Sequence, residues 1–202
     1  MGTYTKEQIV TAVKKALDEN TETAALTEDT DTLELEDIIE RSIPDGINAV
    51  RLVAPISRVN VTYSAFTAAS SVALPTDFLR LAVITGKPGE WRHGVSEFTL
   101  PESSRYHQQG SEFAGIKGNA SKPVAVLTVG ESGKEVQLFP KTTGNIWYVP
   151  SVAANDSYDI EDGCYGAVIY KIAAIVSGIE LSAAGVQALT ALCNEQLGIN
   201  AK

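Results

Sequence analysis

From Thr5 onward the apolar residues recur at helical spacing. Ile9, Val13, Ala16 and Leu17 fall on one face, and Thr5 with Gln8 forms a capping box ahead of them. A polar stretch over 20–30 leads to a second predicted helix that starts near Asp31. Its face runs through Leu35, Ile38, Ile39 and Ser42. Pro44 is expected to kink or restart it, because proline has no N–H and crowds the preceding turn. Helical spacing resumes through Ile47, Val50 and Val53, and Pro55 ends it.

After Arg58 the period changes. Runs rich in Val, Thr, Tyr, Phe and Trp, punctuated by Gly and Pro, predict short strands at 58–66, 71–74, 79–85, 91–98, 123–129, 135–140 and 145–150. Gly130 and Gly133 bracket a hairpin turn. The polar stretch 100–110 reads as a short helix or an ordered loop. Within Val72–Ile84, Pro75 and Asp77 interrupt a strand that resumes at once, which reads as a corner between two strands. Asp77 is expected to accept backbone N–H bonds in that turn, and Asp77→Ala to cost about 0.5–2 kcal/mol, the scale of a lost cap.

Helix returns at the end. Val168, Ile172, Ile175, Val176 and Ile179 share one face, and a last helix is expected between Ser182 as cap and Gly198 as stop. Ala173, Ala174, Gly178, Ala183, Ala184 and Gly185 are small enough to let helices approach closely. The expected fold is α+β. The N- and C-terminal helices (1–57 and 158–202) form a discontinuous bundle, and 58–157 form an inserted antiparallel β domain, sandwich- or barrel-like.

Composition narrows the function. With 44% hydrophobic and 20% charged residues the chain can build a core. A net charge of -9 argues against a protein that grips nucleic acid phosphates. The N-terminus has no secretory pattern, and the longest apolar stretch is interrupted by Lys171, so no membrane span is expected. Without secretion, the sequons at Asn60, Asn119 and Asn155 are chance matches. Cys164 and Cys193 read as two buried thiols rather than a disulfide. His93 and Glu97 stand four apart but lack further ligands at metal-binding spacing, as does His107. Asp29, Asp31 and Glu40 echo a calcium loop, but Leu33 and Glu34 occupy positions that need a ligand and a glycine. No nucleophile elbow, P-loop or dinucleotide fingerprint is present, so no enzyme, cofactor or metal is expected. Trp91, Tyr106, Trp147 and Tyr148 could stack on a carbohydrate, which would make the chain a surface-binding module; core packing is the preferred reading of these rings.

One ordered set of residues carries a resemblance. Leu74, Pro75, Asp77, Phe78 and Leu81 are followed by Trp91, then by Leu138, Phe139 and Pro140, then by Tyr148 and Pro150, and finally by the small-residue helices. This order resembles the head-to-tail adaptors of short-tailed phages, in layout over most of the chain and in identity over short stretches. The structural signature is Leu74, Pro75, Asp77, Phe78, Trp91, Phe139 and Pro140. The resemblance implies a virion protein of the neck, made in the bacterial cytoplasm. It also implies a ring of about twelve copies on the portal that extends the DNA channel and receives tail or further ring proteins. DNA would pass through such a ring without specific binding.

Overall fold

The computed structural model describes residues 1–20, 31–67, 71–111, 117–130, 133–179 and 183–199. These form five α-helices and eight strands, and every strand pair is antiparallel, so the protein is α+β. The chain divides into two compact units, Met1–Asn60 with Ser151–Lys202, and Val61–Pro150. Residues 58–60 and 151–157, expected in the β segment, group with the helices instead. Local hydrogen bonds explain why. The Asn60 N–H donates to Glu161 Oε1 at 2.8 Å, the Val152 N–H to Asn48 Oδ1 at 2.8 Å, and the Lys6 N–H to the Asp156 carbonyl at 3.0 Å.

The helical unit opens with a strand that the helical periodicity hides. β1 (Gly2–Thr5) pairs with β8 (Ser157–Ile160), tying the two parts of the unit together. Tyr158 and Ile160 of β8 are buried while Ser157 and Asp159 are exposed, the alternation of a half-buried strand. α1 (Lys6–Asn20) then starts on the expected box. The Thr5 N–H donates to Gln8 Oε1 at 3.0 Å, and the Gln8 N–H donates to Thr5 Oγ1 at 3.3 Å.

α2 (Asp31–Val53) continues through Pro44 as one helix and does not restart there. Proline removes one hydrogen bond, to the Glu40 carbonyl, but the buried line Ile39, Ile43, Ile47, Val50 and Ala54 continues across it. Each such isoleucine contributes about 1.5–3 kcal/mol through burial, which outweighs one lost bond. Val53, expected on this face, is 55% exposed. Gly46 sits where α2 meets α4 (Tyr165–Ile179): a Cβ there would lie 2.3 Å from Ile172 Cγ1. The glycine that weakens α2 by propensity is therefore required by packing.

α4 touches α1, α2 and α5 (Ala183–Leu197). Of the small residues on the last two helices, Ala173, Ala174 and Gly185 are buried; Gly178, Ala183 and Ala184 are exposed. The expected cap Ser182 lies outside the described residues. α5 stops where expected, at Gly198 with φ +69°. The Gly198 N–H donates to the Glu195 carbonyl at 3.0 Å and the Ile199 N–H to the Asn194 carbonyl at 2.8 Å, the pair of bonds that closes a Schellman motif.

The β unit holds two three-stranded sheets. In the first, β7 (Gly144–Pro150) lies between β2 (Thr62–Phe66) and β4 (Phe78–Gly86). In the second, β6 (Gly133–Phe139) lies between β3 (Val72–Ala73) and β5 (Val124–Gly130). Both sheets feed one core, with Phe66, Ile84, Ile146 and Tyr148 from the first and Ala125, Val136 and Leu138 from the second. The expected strand at 91–98 does not form. Trp91 turns into the core at once, Arg92, His93 and Gly94 are exposed, and the stretch makes only isolated bridges, Trp91 with Pro88 and Val95 with Ile84. The stretch 100–110 contains the short helix α3 (Ser104–His107), capped by the Ser103 hydroxyl. Among the described residues, no helix is long and apolar enough to cross a membrane.

Candidate functional site

All seven signature residues lie in the β unit, Val61–Pro150. Pro75 to Phe78 form a turn closed by the Phe78 N–H donating to the Pro75 carbonyl at 3.0 Å. Asp77 rides on this turn, but its carboxylate does not cap the backbone as expected. It accepts the Tyr148 hydroxyl from β7 at 2.8 Å. The turn closes with backbone groups alone, which frees the carboxylate to face the neighbouring strand. Phe78 stacks on the same tyrosine, with ring centroids 5.6 Å apart and planes at 28°. The corner is therefore fastened to the central strand of its sheet by one hydrogen bond and one ring.

Trp91 supplies the second fastening. Its ring is buried, and its Nε1–H donates to the Pro140 carbonyl at 3.0 Å. Pro140 follows Phe139 through a cis peptide bond. Thr142, also buried, holds the adjoining loop: its hydroxyl donates to Glu90 Oε2 at 2.7 Å and accepts the Lys87 N–H at 3.1 Å. Leu74 and Phe78 pack half-buried against the core that contains Trp91 and Tyr148. Phe139 stays outside that core, with its carbonyl against Gly118, where a Cβ would lie 2.5 Å from it.

Electrostatically the site keeps a neutral phenol beside a carboxylate. Burial, then the hydrogen bond and negative charge of Asp77, push the Tyr148 hydroxyl up to about 12. Tyr148 is thus a proton donor throughout the neutral range. The chemistry available here is a structural lock between a corner and a strand.

No protein-family model matches the chain, and no curated protein is significantly similar to it.

The other sequence candidates scatter. His93, Glu97 and His107 are exposed. Among the described residues, no group of three or more His, Cys, Asp or Glu could hold a metal ion. Asp29 lies outside the described residues. Of the four rings that could form a stacking platform, Trp91 and Tyr148 are in the core and Tyr106 and Trp147 are half-buried, so the four do not share an exposed plane. Trp147 instead leans on Tyr63 of β2, with centroids 4.8 Å apart at 40°. Cys164 and Cys193 are free and buried, and burial pushes both thiols up.

The periodicity missed a buried ion pair in the helical unit. Arg51, late in α2, reaches Glu161 at 3.1 Å, with 5% and 12% of the two side chains exposed. The same guanidinium donates to the Asp159 carbonyl at 3.0 Å. The available signal is an arginine next to Val50 on a line of buried aliphatic residues. Its partner stands more than a hundred residues away and carries no mark in the sequence.

Proposed function

We propose that this chain is a head-to-tail adaptor of a tailed phage. It is a structural virion protein of the neck, made in the bacterial cytoplasm, that assembles as a ring on the portal, extends the DNA channel and receives tail proteins. One observation carries the reading: signature residues spread from Leu74 to Pro140 are used jointly, to fasten a corner and a loop to the sheets. An ordered set with a shared structural purpose supports descent of a whole scaffold, which scattered chance matches would not. Two further points favour it. A ring needs two different, complementary patches on each copy, and two units of unlike chemistry can supply them. A net charge of -9 suits a channel through which DNA slides without sticking.

The test is assembly with the portal protein of the same virus, followed by native mass spectrometry and electron microscopy. A closed ring seated on the portal is expected. A chain that stays monomeric beside an intact portal ring would overturn the reading.

A further inference from the structure

Two features of the surface complement each other. The first is a cleft of about 280 Å³ in the helical unit, walled by Leu52 and Val53 of α2 and by Thr190, Cys193 and Asn194 of α5, with Lys171 of α4 at its side. Leu52 is 46% and Val53 55% exposed, and Ile56 beyond them is 40% exposed, so apolar surface continues out of the cleft. Lys171 is half-buried and, among the described residues, makes no ion pair or hydrogen bond. An apolar cleft with one unpaired ammonium calls for an apolar group followed closely by a carboxylate.

The second feature has that composition. Leu100 of the β unit is 58% exposed, and Glu102, two residues on, is exposed and unpaired among the described residues. They sit on a rigid turn. The Thr99 N–H donates to the Ala125 carbonyl at 2.8 Å, and Thr99 accepts the Leu127 N–H at 3.0 Å, which anchors one side. The Ser103 N–H donates to the Leu100 carbonyl at 3.0 Å, and the Ser103 hydroxyl caps α3, which anchors the other. A preorganised turn loses little freedom on docking.

We propose that the Leu100–Glu102 turn of one copy docks in the Lys171 cleft of a second copy. Leu100 would lie against Leu52 and Val53, and Glu102 would meet the Lys171 ammonium. Between two copies of an acidic protein, whose net charges repel, the contact sets a cation against a carboxylate. Because turn and cleft are different patches, the contact is head-to-tail and can propagate from copy to copy.

The experiment is sedimentation of the full chain over a concentration series reaching on the order of 1 mM. Concentration-dependent association is expected. Lys171→Glu and Glu102→Lys should each weaken it about tenfold, and the double exchange should restore it. Leu100→Ser should weaken it without rescue by either charge variant. All of these positions are exposed or half-buried, and circular dichroism would verify that each variant folds. A chain that remains monomeric at the highest concentration would overturn the proposal, as would a double exchange no stronger than the single variants. Either result removes this contact alone: assembly on a portal is read separately and does not depend on association in free solution.

Discussion

The helical unit buries an ion pair, Arg51 with Glu161; the β unit holds a phenol against a carboxylate, Tyr148 with Asp77. Both contacts join segments far apart in sequence, and both sit beside apolar cores. They differ in what remains when one partner goes. Removing Arg51 strands a charge that has been taken from water. Removing the Tyr148 hydroxyl leaves a half-buried carboxylate that water can still reach. The helical unit should therefore be brittle to a single substitution, and the β unit should respond more to pH.

Arg51→Met gives the largest expected effect. Glu161 would keep the Asn60 N–H but lose its counter-ion, and the Asp159 carbonyl would lose a donor. Breaking a buried pair from one side costs about 3–5 kcal/mol. Urea denaturation followed by the helical signal would measure it. Changing Glu161 to Leu as well should recover much of the loss, since the stranded charge is gone. A loss of under about 1 kcal/mol for Arg51→Met would mean that water solvates the pair, and the contrast between the units would fail.

Tyr148→Phe probes the other side. A hydrogen bond to a charged group is worth about 1.5–3 kcal/mol, so the β unit should lose about that much. Asp77→Ala should lose a similar amount, and the double variant should lose clearly less than the sum. The pH response follows from the same contact. Burial and the Asp77 carboxylate push the folded tyrosine up to about 12 from its ordinary value of 10.0. The stabilisation is fully present below pH 10, and it is lost as pH rises through the folded value. Asp77→Asn removes the charge, so the Tyr148 phenolate should appear at lower pH, read by its ultraviolet absorbance. An unchanged titration would show that burial alone sets it.

Local pattern and long-range pairing differ in how far the sequence exposes them. The Thr5–Gln8 box, the Gly198 stop and the faces of α1 and α4 depend on neighbours within a turn, and they were legible. β1 and β8 were not, because four residues carry too little alternation until their partner is known. At Pro44 the expected restart does not occur, because the proline rule looks only at the local backbone and leaves out the buried line that crosses it. The site was half legible. Corner residues Pro75 and Asp77 were visible as a corner, but the Asp77 carboxylate accepts from the Tyr148 hydroxyl, 71 positions away. Periodicity could place Tyr148 inward without saying what its hydroxyl meets.

The smallest effect distinguishes glycines that the pattern treats alike. Gly46 lies inside α2, where alanine is intrinsically better by about 0.8–1 kcal/mol, and Gly178, next to the last residue of α4, shares part of that preference. Among the described residues, an added Cβ at Gly178 would touch only Val186 Cγ2, at 3.7 Å, an ordinary contact. Gly178→Ala should therefore raise stability by several tenths of a kcal/mol. At Gly46 the Cβ would fall 2.3 Å from Ile172 Cγ1, and Ile172 is fully buried, so either its rotamer or the α2–α4 distance must give way. Overpacking of this kind costs about 1–3 kcal/mol, more than alanine returns. Gly46→Ala should thus lower the melting temperature while Gly178→Ala raises it. Equal shifts of one sign would mean that the contact between α2 and α4 yields freely, and that α2 tolerates Gly46 for some reason other than packing.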